Sequence, residues 1–453
     1  MKLQLSEIAR AVQGQLIGVD CTVSGVGIDT RKLQRGHLYV AIKGHQFDGH
    51  DFGLQAQQAG AVALLVDRAL DNQLPQILVK DTRLALAELA GYWRKQLPVK
   101  VVGVTGSNGK TTVKEMLAAV LATQGETLFT QGNLNNDIGV PLTLLRLEPT
   151  HRFAVIEMGA NHPGEIAYTS HYAQADVSVI TNVGAAHIAG FGDLQGVATT
   201  KGEIISNLPA HGVAVINRDD AFYPFWRELA GERQVVAFGV SDQAEVRASN
   251  IVSELTETGY QTRFELITAA RSMPVLLNLA GEHNVKNALA VVAVALQLGI
   301  EPDAITKGLA AVKPVTGRMQ PLKGRLGNVV IDDTYNANPS SLTAALTVLE
   351  PGRINWLVLG AFGELGPDSE AIHAEMGLTI KQMPVQRLFA TGELAKATVA
   401  SFGEGAQFFD NQEQLISVLQ QSLTGCETVL VKGSRSQKME NVVAALVDNF
   451  RAA

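Results

Sequence analysis

Val101-Val102-Gly103-Val104-Thr105-Gly106-Ser107-Asn108-Gly109-Lys110-Thr111-Thr112 reads as a buried strand, a glycine turn and the opening of a helix. Glycine lets the backbone enter positive φ and approach a ligand closely. The free N–H groups at the start of the helix then face an anion. In this arrangement the Lys110 ammonium reaches the terminal phosphates of a nucleotide and the Thr111 hydroxyl sits on Mg²⁺. The expected ATP-binding segment is therefore Thr105, Gly106, Ser107, Asn108, Gly109, Lys110, Thr111 and Thr112. The strict pattern G-x-x-x-x-G-K-[ST] is not met in full, because Val104 stands at the first glycine. An ordinary glycine-rich strand–helix turn is the competing reading, and the strand–loop–helix context favours the phosphate loop. The loop gives nucleotide and Mg²⁺ but no particular reaction.

Working outward, short β-branched runs with few charges recur at 100–105, 153–158, 177–183 and 213–217. Such runs suit parallel strands buried on both faces. Helical patterns lie between them, including 111–123 and 283–298, so 84–312 reads as a doubly wound α/β domain. The alternation restarts after residue 313, with strands expected at 328–332, 355–359, 387–390 and 428–431. That segment, 313–453, reads as a smaller Rossmann-like domain. Residues 1–83 carry short strands and turns, and an amphipathic helix is expected over 84–96. At the N-terminus, residues 1–16 read as a helix capped by Ser6, with Ile8, Ala9 and Val12 on one face.

A chain of 453 residues exceeds what one core usually supports, which agrees with three α/β domains. Its 46% hydrophobic content argues against disorder, and a net charge of −7 argues against a broad nucleic-acid surface. The two cysteines, Cys21 and Cys426, support neither a disulfide framework nor a Cys-based zinc site and suit a reducing compartment. No run approaches the roughly 18 uninterrupted apolar residues of a membrane span, and no basic-then-apolar leader opens the chain. A cytoplasmic monomer without membrane insertion is the expectation.

The phosphate loop, with its missing first glycine, resembles that of the Mur ligase family. Further matches follow in family order: Ile156-Glu157-Met158-Gly159, Thr181-Asn182-Val183-Gly184-Ala185-Ala186-His187 and Thr200-Lys201-Gly202-Glu203. Then come Gly281-Glu282-His283-Asn284-Val285-Lys286-Asn287, Gly317-Arg318, Asp333-Thr334-Tyr335-Asn336-Ala337-Asn338-Pro339 and Lys432-Gly433-Ser434-Arg435. The segment from Asp333 to Ser340, with Phe362-Gly363-Glu364-Leu365-Gly366, resembles the branch that adds D-alanyl-D-alanine. Relatives that add single amino acids carry an Asp-Tyr-Ala-His type sequence there. Ala361 stands where that branch has an Asp, and Thr200 where the family has a small Ala.

The resemblance implies an ATP-dependent, amide-forming ligase that joins D-alanyl-D-alanine to UDP-N-acetylmuramoyl-tripeptide through an acyl phosphate, in peptidoglycan precursor synthesis. Under it, Lys110, Lys201, His187 and Arg318 are the catalytic residues, and Thr111, Glu157, His187 and Lys201 are the Mg²⁺ group. Lys201 is N-carboxylated by CO₂, whereas an unmodified lysine near phosphates is the plainer reading of the residue itself. Asn284 and Asn287, at i and i+3 on one helix face, bind adenine. Without the resemblance they read as a polar helix start. Arg318 brings charge to the phosphates, Asp333 binds ribose, and Asn336 faces the nucleotide or the acceptor amine. The UDP end of the substrate falls to Thr30, Arg31, Lys43, Gly44, Asp48 and Gly49, residues that alone would make common turns. Lys432 and Ser434 suit the tripeptide carboxylate or the incoming dipeptide, against a solvated basic turn.

Two other readings remain open at this point. A folylpolyglutamate synthetase-like ligase would begin near the phosphate loop. A regulatory phosphate-loop protein would turn over ATP slowly and have no need of Lys201. An oxidoreductase is disfavoured because no G-x-G-x-x-G opens the third domain.

Overall fold

The strand that carries the phosphate loop, Lys100–Thr105, lies inside a nine-stranded sheet. It is flanked in parallel by Phe153–Glu157 and Val177–Ile180. Val101, Val102 and Val104 are fully buried although they point to both faces of the sheet, which is why the run is apolar throughout. Each such side chain contributes on the order of 1.5–3 kcal/mol relative to exposure. The computed structural model describes residues 1–44, 46–185, 188–256, 259–448 and 450.

From one edge the sheet runs Thr127–Phe129, Phe153–Glu157, Lys100–Thr105, Val177–Ile180, Val213–Asn217, Gln234–Gly239 and Val246–Thr256, all parallel. Gly259–Ile267 and Ser272–Leu277 then extend it as antiparallel strands. One face is covered by Lys110–Ala122 and Gly281–Gln297, whose apolar residues share a core with the valines of the sheet. On the other face the core runs continuously through helix Thr82–Lys95 into the N-terminal residues Leu5, Ile8, Leu38 and Ile77. Asp81 caps that helix by accepting from the backbone N–H groups of Arg83 and Leu84, so it starts earlier than its apolar pattern predicts.

Residues 15–78 contain a five-stranded sheet, parallel except for Gln15–Ile17 against Gln76–Leu78. The expected N-terminal helix is shorter than its pattern: Leu3–Gln4 pairs with Thr22–Val23, and the helix occupies only Leu5–Ala11. Ser6 does not cap it. Both its backbone N–H and its hydroxyl donate to the Asp20 carboxylate, which is better placed than the helix end to use them. Ile8, Ala9 and Val12 are buried as expected.

Residues 320–432 form a six-stranded sheet in the order Gln320–Lys323, Val329–Asp333, Thr428–Lys432, Asn355–Gly360, Arg387–Thr391 and Ala406–Phe409. Only the first pair is antiparallel. The fold is thus a three-domain α/β architecture. No helix among the described residues is long and apolar enough to cross a membrane.

Candidate active site

Gly106 and Gly109 adopt φ of +145° and +82°. At Gly106 a Cβ would lie 1.9 Å from the Thr181 hydroxyl, and at Gly109 it would lie 2.4 Å from Asn287 Oδ1. These two close approaches require glycine and fold the loop onto the ends of neighbouring elements. Lys110 is the first residue of its helix. Its Nζ donates to the carbonyls of Gly106 (2.8 Å) and Ser107 (3.2 Å). Burial pushes its pKa down, opposed by Glu157 and reinforced by Arg318.

Strand Phe153–Glu157 ends beside the loop and delivers Glu157, which is 2% exposed. Its Oε1 accepts from Asn135 Nδ2 (2.9 Å) and, at 3.4 Å, from the Thr111 hydroxyl. Its Oε2 is buried with no hydrogen-bond partner among the described residues. Lys201 projects from helix Leu194–Ser206, is 3% exposed, and holds its Nζ 5.2 Å from the centre of the Phe191 ring. Glu203 and Glu165 lie near it, but their carboxylates accept backbone N–H groups at Gly164, Ala167 and Asn161. Burial, with the Lys110 charge adding to it, pulls the Lys201 amine down to about 7. His187 lies outside the described residues.

The third domain forms the opposite wall. Arg318 Nη2 donates to the Thr111 hydroxyl at 2.9 Å, so the two walls meet at the phosphate loop. Its guanidinium lies 4.2 Å from the Tyr335 ring centre, and its buried Nε has no partner among the described residues. Asp333 Oδ1 accepts from the backbone N–H of Met319, and Oδ2 pairs with Lys432 Nζ at 2.5 Å. Lys432 also donates to the Asn336 carbonyl. Asn284 and Asn287 come together on one helix face, Asn287 Nδ2 donating to Asn284 Oδ1, with Asn284 bonded back to the Ala280 carbonyl. Beside them His283 is held far on the neutral side, at about 4, chiefly by burial. Its Nδ1 has no partner among the described residues.

One cavity is lined by Gly106 to Thr112, Glu157, Lys201, Asn284, Asn287, Arg318, Asp333, Asn336 and Lys432. Two of the expected residues stand apart from it. Thr105 is buried in its strand with its hydroxyl donated to the Met158 carbonyl. Ser434 is buried with its hydroxyl on the Ala361 carbonyl. The first-domain residues are elsewhere as well. Arg31 is exposed and pairs with Asp29 at 2.8 Å, Thr30 opens the same turn, and Lys43 and Gly44 are exposed. Asp48 accepts from His50 and Arg68, which keeps its carboxyl well below the usual range, and Gly49 is buried.

Sequence reasoning gave no role to Asn135, His283, Tyr335, Asn338 or Ser340, all of which line the cavity. For Asn135 the only sequence signal is the asparagine-rich stretch 133–136. Tyr335, Asn338 and Ser340 fall in a segment whose resemblance was noted but whose side chains were not assigned.

Three family models match the chain: "Mur ligase family, catalytic domain" over residues 22–94, "Mur ligase middle domain" over 104–295, and "Mur ligase, glutamate ligase domain" over 317–435. The chain belongs to the Mur ligase family. It is similar to the UDP-N-acetylmuramoyl-tripeptide–D-alanyl-D-alanine ligase of Escherichia coli K12, at 46% identity with 99% of each chain covered. Among solved structures it is similar to MurF from Acinetobacter baumannii (TM-score 0.92, 37% identity, 98% of each chain covered). It is also similar to the MurF ligase of Thermotoga maritima in complex with ADP (TM-score 0.84, 29% identity, covering 93% of this chain and 97% of that one).

Proposed function

We propose that the cavity between the central and third domains is where ATP activates the terminal carboxylate of UDP-N-acetylmuramoyl-tripeptide and D-alanyl-D-alanine is joined to it. The chain is an ATP-dependent ligase of peptidoglycan precursor synthesis, forming that peptide bond with release of ADP and phosphate. The observation that carries the mechanism is the convergence of Lys110, Glu157 and Lys201 with Arg318 on one cavity, drawn from two domains already in contact at Thr111.

In the first step a carboxylate oxygen of the tripeptide attacks the γ-phosphorus, the bond to the bridging oxygen breaks, and ADP leaves. In the second, the amino nitrogen of D-alanyl-D-alanine attacks the acyl carbon, loses a proton, and inorganic phosphate departs through a tetrahedral intermediate. Both steps gather negative charge beside a carboxylate, so preorganised cations supply most of the stabilisation. Lys110 and Arg318 face that charge from opposite walls, and the closed walls exclude water and fix the reactants.

Thr111 and Glu157 fit Mg²⁺. Leaving a buried carboxylate oxygen such as Glu157 Oε2 unmet costs on the order of 1–3 kcal/mol or more, a deficit a cation removes. Among the described residues no cluster of three acidic, His or Cys ligands occurs, and in this reading the nucleotide phosphates share in holding the ion. Bound there, Mg²⁺ would neutralise phosphate charge. The second ligand, His187, belongs to the same reading.

Lys201 is N-carboxylated in this reading. An amine pulled down to about 7 is half neutral near pH 7, and its nitrogen can attack CO₂ and lose a proton to give a carbamate. Asn284 and Asn287 hold adenine, with Asp333 and Asn336 on the ribose side. The UDP end is bound by the first domain (1–83) through Thr30, Arg31, Lys43, Gly44, Asp48 and Gly49. The central segment (84–312) holds ATP, and the third (313–453) brings Arg318, with Lys432 toward the peptide, while Ser434, its hydroxyl on the Ala361 carbonyl, supports the turn after it. The protein acts as a cytoplasmic monomer.

The test is phosphate release with and without each co-substrate. Release should require both UDP-N-acetylmuramoyl-tripeptide and D-alanyl-D-alanine, and release indifferent to both would overturn the reading.

A further inference from the structure

Asn108 occupies a position of the phosphate loop that the sequence pattern leaves unspecified, and its backbone and side chain face in different directions. The backbone is tied to the central domain: its N–H donates to Asn182 Oδ1, and its carbonyl accepts from Thr181 Oγ1 and Asn182 Nδ2. The side chain crosses to the third domain. Asn108 Nδ2 donates to the Ser340 hydroxyl at 2.9 Å, Ser340 Oγ donates to Asn338 Oδ1 at 2.9 Å, and Asn338 Nδ2 donates to Asn108 Oδ1 at 2.9 Å.

These three bonds close a ring in which each of the three side chains donates once and accepts once, all in one direction. The ring sits on helix Pro339–Leu346, where Asn338 is the N-cap and also accepts from the Ser341 N–H. The seat is also sterically matched, since a Cβ on Gly184 would lie 2.5 Å from Ser340 Oγ. Nothing in the ring depends on a phosphate.

We infer that Asn108, Asn338 and Ser340 form a latch that couples the seating of the third domain to the conformation of the phosphate loop. Asn108 is therefore a positioning residue, acting through Arg318, which the seated domain delivers to Thr111. The loop's fold presents the Asn108 amide, and the amide reads whether the third domain has arrived. This rests on the role given to Arg318 above.

The test compares Asn108→Ala, Ser340→Ala and the double variant in the full-length enzyme. Both single changes leave the Asn338 cap bond from the Ser341 N–H and the backbone bonds of Asn108 to Asn182 in place. Calorimetric MgADP affinity of Ser340→Ala should stay within about twofold, while kcat falls about tenfold in Asn108→Ala, which removes both interdomain hydrogen bonds of the ring, and by about threefold in Ser340→Ala, which removes one. The double variant should fall no further than Asn108→Ala alone, because that change already removes both interdomain bonds. Small-angle scattering of the MgADP complexes should show the variants more extended than the wild type. MgADP affinity dropping in step with kcat, or two losses that multiply, would overturn the latch. Full activity in Arg318→Ala would instead remove the Arg318 reading, while scattering and coupling would still decide the latch on their own.

Discussion

Two glycine-bearing loops follow strands in different domains, and they differ in what their polar groups are left to do. In the first domain, after strand His37–Val40, the loop closes on itself: Gly44 N–H donates to the Phe47 carbonyl, Gly49 N–H to Ile42, and Tyr39 hydroxyl to the Gly49 carbonyl. Asp48 is spent on His50 and Arg68, and Gly49 is small because a Cβ would meet the Ile42 backbone at 2.6 Å. In the central domain the glycines serve the same close packing, yet Glu157 Oε2, and Arg318 Nε facing the loop from the third domain, stay buried without partners among the described residues. Among the described residues Lys110 donates only to the loop's own carbonyls. A satisfied loop presents shape to a ligand, while an unsatisfied one demands a ligand.

The sharpest way to break that contrast is Lys110→Met. With the cation facing transferring phosphate, kcat should fall by about 10³-fold, measured by phosphate release, with little change in melting temperature. If the ammonium merely pinned the loop carbonyls, the melting temperature would drop and kcat would follow it only in part.

Lys201 offers a second test through pH. Its amine lies at about 7 in the folded protein against an ordinary 10.5, so between those values the unfolded chain holds a proton that the folded chain lacks. Folding stability should therefore rise with pH across this window, by about 1.4 kcal/mol per pH unit from this group. Equilibrium unfolding of Lys201→Met in CO₂-free buffer should show that slope reduced by this amount, and an unchanged slope would exclude a desolvated amine.

Asn135→Ala frees Glu157 Oε1 without touching Oε2. The Mg²⁺ concentration needed for half-maximal nucleotide binding should rise about tenfold, as for loss of a group that orients a metal ligand. An unaltered Mg²⁺ requirement would show that Glu157 needs no such support.

The smallest effect is expected in the first domain. Arg31→Ala removes one exposed ion pair, so KM for UDP-N-acetylmuramoyl-tripeptide should rise by up to about fivefold, with KM for ATP and the melting temperature unmoved. A matching change in KM for ATP would join two sites that the fold keeps apart.

Much of the fold was legible because buried parallel strands announce themselves locally. Lys100–Thr105 and Val213–Asn217 coincide with their apolar runs. The antiparallel extension 259–277 was not read, although Tyr260, Thr262, Phe264 and Leu266 alternate into the core along Gly259–Ile267. Thr262 puts a polar residue on the buried side and Ile267 an apolar one on the half-exposed side, so the alternation is diluted. At the N-terminus a helical pattern lost its first turn to strand pairing with Thr22–Val23, a contact that no local periodicity encodes. Glu157 and Lys201 were found through resemblance, since a lone glutamate or lysine carries no signal of its own burial.

By itself the sequence determined the phosphate loop. Its strand, its glycines at positive φ and its lysine at the helix start are consecutive residues, and backbone sterics alone dictate how they fold. Only the tertiary structure decided what that loop touches. Arg318 meets Thr111 across 207 positions and Asn338 meets Asn108 across 230. Separations of that size are set by how whole sheets pack and dock, a property of summed burial over three domains that no short stretch of residues contains.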